Sequence, residues 1–306
     1  MNYIVPLEYF EYIGRNKSVA DRWTNNEFYK NINDNILLDE QFGIYLKRFI
    51  CSNDISKIDA RSFSEDDIER IFRTGWGLYF SCQENQLKKY KEVISLLFLT
   101  IRIFFKKHTG SQYFLCQTNT FLSQKYNEEW KYAIAEKQIV PREELNDYFT
   151  QSDIEELITA FNKFKQLWRI SNRVRHSIQF LFLGYTTYYW MTSFVSLVTS
   201  LETLVSPEKI GDISPYVKKR TVAFIKDSKV CSNSRMDKLY GLRSDIVHGR
   251  ILVELDFGKE IERLKQLQMI ILTFFKKLLE QDFASIYKDE ESKEAFFNKI
   301  APLDKS

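Results

Sequence analysis

Apolar residues recur at helical spacing over most of this chain. Ile68, Ile71 and Phe72 follow Ser64-Glu-Asp-Asp67, where a serine cap and first-turn acids predict a helix start. A long helix is predicted from about Gln86 to Lys107 through Val93, Leu96, Leu97, Leu99, Ile101, Ile103 and Phe104. It is apolar on most sides and therefore expected to be buried, with His108-Thr-Gly110 as its stop. Ser152-Asp-Ile-Glu155 has capping-box spacing and opens a stripe of Ile154, Leu157, Ile158, Phe161, Phe164, Leu167 and Trp168. An uncharged helix ending near Leu204 follows, then one opened by Ser214-Pro215 and another from about Ser234 that Gly249 would terminate. Lys259 to Gln281 repeats the amphipathic pattern with Ile261, Leu264, Leu267, Ile271, Phe274, Phe275 and Leu278. The expectation is an all-α, mainly helical fold, with an antiparallel bundle of about five helices in the C-terminal half. The opening 60 residues lack a clean period. Tyr3-Ile-Val-Pro-Leu and Ile36-Leu-Leu are candidate short strands in an N-terminal region otherwise expected to be mostly helical. Residues 110–150 also lack a period, with a break at Pro141.

Composition agrees with a globular chain of few breaks. There are 306 residues, 44% hydrophobic and 28% charged, with only 10 Gly and 5 Pro. Cys51, Cys82, Cys116 and Cys231 are scattered without CxxC or Cys/His ligand spacing, so no metal site or cofactor is expected and the thiols are read as reduced in a cytoplasm. Ser177 to Leu201 is 25 uncharged residues, enough to span a bilayer. Nine of them are Ser, Thr or Gln and Gly184 interrupts the run, so a buried core helix is expected instead.

Net charge is only +3, yet Val205 to Arg250 carries ten Lys/Arg against five acids. That local excess is where a polyanion would bind, although a solvated face would look the same. Lys218, Lys219, Arg220 and Arg250 are the candidate contacts to an RNA backbone. Within the segment, Arg243 and His248 are separated by four residues near a helix end. Imidazole moves protons near neutral pH, and guanidinium grips phosphate with two parallel hydrogen bonds. Positions five apart on a helix are offset by roughly 140°, so the two do not share a face. The bland alternatives are a histidine closing the helix and an arginine paired with Glu202 or another buried acid. His108 and His176 have no constellation around them.

Ser200-Leu-Glu-Thr-Leu204, Lys219-Arg-Thr-Val-Ala-Phe-Ile225 and Tyr240-Gly-Leu-Arg-Ser-Asp-Ile-Val-His-Gly249 occur in that order. In this they resemble the HEPN superfamily, and within it the Apea-like branch. The resemblance covers residues 153–281 best and assigns 85–306 to the HEPN region, leaving 1–84 as an N-terminal region of its own. It implies a HEPN-type helical bundle that dimerises, bringing two Arg/His motifs to one cleft, and a metal-independent endoribonuclease acting as a toxin or antiviral effector. Arg243 and His248 take the catalytic role, while Ser244, Asp245 and Glu202 are supporting candidates. RNA, a second copy of the chain and an antitoxin or defence partner are the implied partners, and no membrane is. The alternative of another class is a non-catalytic HEPN module that binds RNA, nucleotide or protein.

Overall fold

The computed structural model describes residues 1–7, 11–14, 35–49, 63, 65–105, 107, 109, 111, 114–117, 122–124, 148–187, 189–207, 213–250 and 257–302. The described residues divide into two compact units, the first running as far as Asn162 and the second from Lys163 onward.

The first unit corrects the expectation of an all-α fold whose N-terminal region is mostly helical with possible short strands. Strands β1 (Asn2–Pro6), β3 (Asn35–Asp39), β4 (Ile44–Arg48), β5 (Trp76–Ser81), β6 (Leu115–Gln117) and β7 (Leu122–Gln124) form one sheet in the order β3-β4-β5-β1-β6-β7. Every neighbouring pair is antiparallel. A short parallel pair joins β2 (Glu11–Gly14) to β8 (Tyr148–Thr150). Both candidate strands are thus real.

The sheet is covered on both faces, which is why β1 shows no apolar/polar alternation. Tyr3 lies opposite Phe80, their rings stacked at 5.5 Å, and Phe80 stacks at 4.9 Å on Tyr90 of helix α2 (Leu87–Phe105). On the opposite face Ile4 and Leu115 pack with Phe49, Phe63 and Ile71, the last from helix α1 (Glu65–Arg73). The expected cap at Ser64, the stop at His108 and Gly110, and the break at Pro141 lie outside the described residues.

Helix α3 (Gln151–Ile170) starts one residue before the predicted cap, and the capping box is Thr150 with Asp153. The Thr150 amide and hydroxyl both donate to Asp153 Oδ2, at 2.7 and 2.8 Å, while the Asp153 amide donates to the Thr150 hydroxyl at 3.2 Å. Glu155 instead accepts from the Gln151 side chain.

In the second unit the uncharged run is two helices, α4 (Asn172–Thr186) and α5 (Trp190–Val205), so one continuous helix is corrected to a hairpin. Among the described residues no helix is long and apolar enough to cross a membrane. The small polar residues of the run serve close packing. Ser177 and Ser200 each donate to the other's carbonyl, and Ser193 donates to the Gly184 carbonyl at 2.5 Å. A Cβ on Gly184 would sit 2.6 Å from Leu197 Cγ. Gly184→Ala is therefore expected to destabilise the unit by about 1–2 kcal/mol, overpacking outweighing the gain in helix propensity. Urea unfolding followed by circular dichroism checks this, and a neutral or stabilising result would contradict it.

Helices α6 (Ser214–Ile225), α7 (Asn233–Val247) and α8 (Phe257–Glu280) follow, with Pro215 in the first turn of α6 as the sequence predicts. Two more, α9 (Phe283–Ile286) and α10 (Glu290–Ile300), went unread in the sequence. Helix α5 is central and packs against α4, α6, α7 and α8. The core is rich in rings. Phe164 meets Phe275 at 6.0 Å, and Phe224 meets Phe274 at 4.4 Å.

Candidate functional site

The site is built on α5 and α7. All but one residue of α5 is uncharged, and the exception is Glu202, whose side chain is only 9% exposed. Arg243 reaches it from α7, with Nη2 donating to Glu202 Oε2 at 3.3 Å. Tyr240, three residues earlier and so on the same face of α7, is buried beside the Glu202 carboxyl. Burial pushes the Glu202 pKa above the usual carboxylate range, and the opposing pull of Arg243 and Tyr240 does not offset it. The structure therefore brings Glu202, Tyr240 and Arg243 together. The ion-pair alternative for Arg243 is real. Tyr240 was missed as a site residue, although its spacing from Arg243 was a usable signal.

His248 does not join this group within one chain. It is the last residue before the chain leaves α7, and its exposed side chain has no partner among the described residues. Its place is fixed by backbone geometry. The Arg250 amide donates to the Asp245 carbonyl at 2.8 Å and the Gly249 amide to Ile246 at 3.1 Å, a Schellman closure. Gly249 has φ +66°, the left-handed conformation that closure requires. Gly249→Ala is expected to cost about 1–2 kcal/mol and Gly249→Asn less, read from urea midpoints. Equal midpoints for alanine and wild type would contradict the closure. Gly249 thus ends the helix as the sequence predicts, and the helix-closing position of His248 matches its bland alternative.

The supporting candidates occupy modest positions. The Ser244 carbonyl accepts from the His248 amide at 3.0 Å. Asp245 lies 3.6 Å from Arg250 in an exposed ion pair, which removes Arg250 as an uncommitted cation. Lys218 pairs with Asp237 at 2.6 Å, and Lys219 donates to the Pro302 carbonyl at 2.7 Å.

Arg220 is a correction. Its side chain has no exposure and cannot track an RNA backbone. It forks onto Glu294, Nη1 at 3.1 Å and Nη2 at 2.5 Å, and also donates to the Val205 carbonyl at 2.7 Å and to Asn298 at 3.1 Å. Three cations converge on the end of α5, where the helix exposes unsatisfied carbonyls. Arg173 donates to the Thr203 carbonyl at 3.1 Å, Arg220 to Val205 and Lys293 to Ser206 at 2.9 Å. Tyr185 and Trp190 are core residues, while Tyr189 is exposed.

Among the described residues no group of three or more His, Cys, Asp or Glu is placed to hold a metal ion. The chain matches no family model, no curated protein and no solved structure.

Proposed function

We propose that this chain is a metal-independent endoribonuclease of HEPN type, acting as a cytoplasmic homodimer in a toxin or phage-defence role. The observation that carries the reading is the contrast at the end of α7. Arg243 is held beside a buried carboxylate with a third of its side chain still open, and His248 projects unpartnered from the helix terminus. One group is suited to holding phosphate charge and the other to moving a proton.

The chemistry needs no further component. The 2′-oxygen attacks phosphorus as a base takes its proton. The bond from phosphorus to the 5′-oxygen breaks as an acid protonates the leaving oxygen. A 2′,3′-cyclic phosphate and a 5′-hydroxyl result. An imidazole can fill either proton role, and Arg243 would stabilise the charge that grows on the phosphoryl oxygens. One histidine supplies one of the two transfers at a time. A second copy supplies the other, which makes dimerisation part of the mechanism.

The test is cleavage of single-stranded RNA by purified protein in EDTA, with end-group analysis of the products. Intact RNA at high enzyme concentration would remove the proposal. The Arg243–Glu202 ion pair favours a second reading, a non-catalytic module that binds RNA or protein through the same helices. That reading expects binding without turnover, and no growth defect on expression.

A further inference from the structure

Two arginines of the helical unit meet carboxylates in different ways, and the difference carries an inference that rests on the ribonuclease reading. At Arg220 both terminal nitrogens are committed. Both terminal nitrogens bond Glu294, the Val205 carbonyl and Asn298 take further donors, and nothing of the side chain reaches solvent. A guanidinium so enclosed has no room for a ligand.

Arg243 differs in its terminal contacts and its exposure. Only Nη2 meets Glu202, at 3.3 Å, and 33% of the side chain is exposed. Its Nε, like that of Arg220, is enclosed with no hydrogen-bond partner among the described residues. Guanidinium presents its N–H donors in a rigid planar fork that matches two oxygens of a phosphate. One contact at Nη2 leaves most of that fork uncommitted.

We infer that Glu202, with Tyr240 beside it, is the positioning residue of this site, tethering Arg243 through Nη2 so that the rest of its fork remains for a phosphodiester. Tyr240 and Arg243 stand three residues apart on α7, so both reach the same carboxyl on α5 from one helix face. The guanidinium is planar, so holding Nη2 also restricts its plane. Burial outweighs both partners in the balance on the Glu202 carboxyl. A buried carboxylate held on those terms is a weak stabiliser, and what it orients accounts for it better.

The experiment uses the full chain carrying 15N-labelled arginine. It follows the heteronuclear NOE of the Arg243 Nε–H group together with steady-state cleavage of single-stranded RNA. Binding is read by anisotropy of a fluorescein-labelled oligonucleotide whose 2′-deoxy sugars prevent cleavage. Glu202→Ala is expected to drop the Arg243 NOE to that of a free side chain. It should also lower kcat roughly 10- to 100-fold, as misplacement of a reacting group does, with KM and oligonucleotide affinity changing less than about threefold. Glu202→Gln, whose amide oxygen still accepts from Nη2, restores order and most of kcat. Tyr240→Phe lies between the two. An Arg243 NOE or kcat unchanged in both Glu202→Ala and Tyr240→Phe overturns the inference. Should Glu202→Ala not fold, the glutamine and phenylalanine variants make the same comparison. Should the wild type cleave no RNA, the ribonuclease reading falls by itself, and the NOE comparison still decides the tether.

Discussion

His248→Ala is expected to lower the rate of RNA cleavage by about 10²–10⁴-fold, the usual worth of a positioned general acid or base. The imidazole is exposed and unpartnered, and the closure of α7 depends on backbone amides and Gly249, so the loss should come without a change in unfolding midpoint. Arg243→Ala is expected to be comparably inactive. Unlike His248→Ala it also strips Glu202 of its cation, and should lower stability. The double variant should be little worse than either single one, because groups that act in one step are not additive. Timed cleavage of an end-labelled RNA in EDTA reads all three. Full activity in His248→Ala would eliminate the ribonuclease reading. An inactive variant that still binds the 2′-deoxy oligonucleotide would place the effect on chemistry rather than on binding.

Arg220→Ala is expected to cost the helical unit about 3–5 kcal/mol, as removal of one partner from a buried ion pair does. The deletion leaves Glu294 with Lys293, 3.4 Å away, and the Val205 carbonyl without its donor at the end of α5. Partial burial pushes the Glu294 pKa up, but Arg220 and Lys293 outweigh it and hold the carboxyl below the usual range. Folding therefore favours the ionised form. The stabilisation is fully present above the ordinary carboxylate pKa and is lost as pH falls through the lowered folded value. Urea midpoints should thus converge for wild type and Arg220→Ala in acid and diverge near neutrality. Arg220→Ala/Glu294→Ala should be less unstable than the sum of the single variants. A loss below about 1 kcal/mol at neutral pH would mean that the network is not what holds α10 to the end of α5.

Helices were legible in the sequence where one apolar stripe repeats and, for α2, where a long run is apolar on most sides. The stripes through Phe161, Phe164 and Leu167 and through Leu267, Ile271 and Phe274 predict α3 and α8 because each has a wet face as well as a buried one. The sheet was hard to read because β1 is covered on both sides, so Tyr3, Ile4 and Val5 are all buried and no period of two survives. The hairpin of α4 and α5 was hidden for a related reason. Central helices are apolar nearly all round, and Thr187 to Tyr189 contain neither Gly nor Pro to mark the turn.

The site divides the same way. Arg243, His248 and the Gly249 closure were readable from residue types and local spacing, since a helix end is a local event. Local charge also suggested that Lys218, Lys219 and Arg220 share one basic face, and here the sequence misled. Adjacent residues of a helix point in different directions, so Arg220 turns into the protein toward Glu294, 74 residues away, while Lys218 pairs with Asp237 near the surface. The pairing of Glu202 with Arg243 spans 41 residues and needs α5 and α7 packed side by side. By itself, then, the sequence determined the helix stripes, the caps and the chemical types at the end of α7, all properties of a few neighbouring residues. Only the tertiary structure decided which cation is buried and which carboxylate holds Arg243, because burial and long-range pairing depend on what the rest of the fold places beside each group.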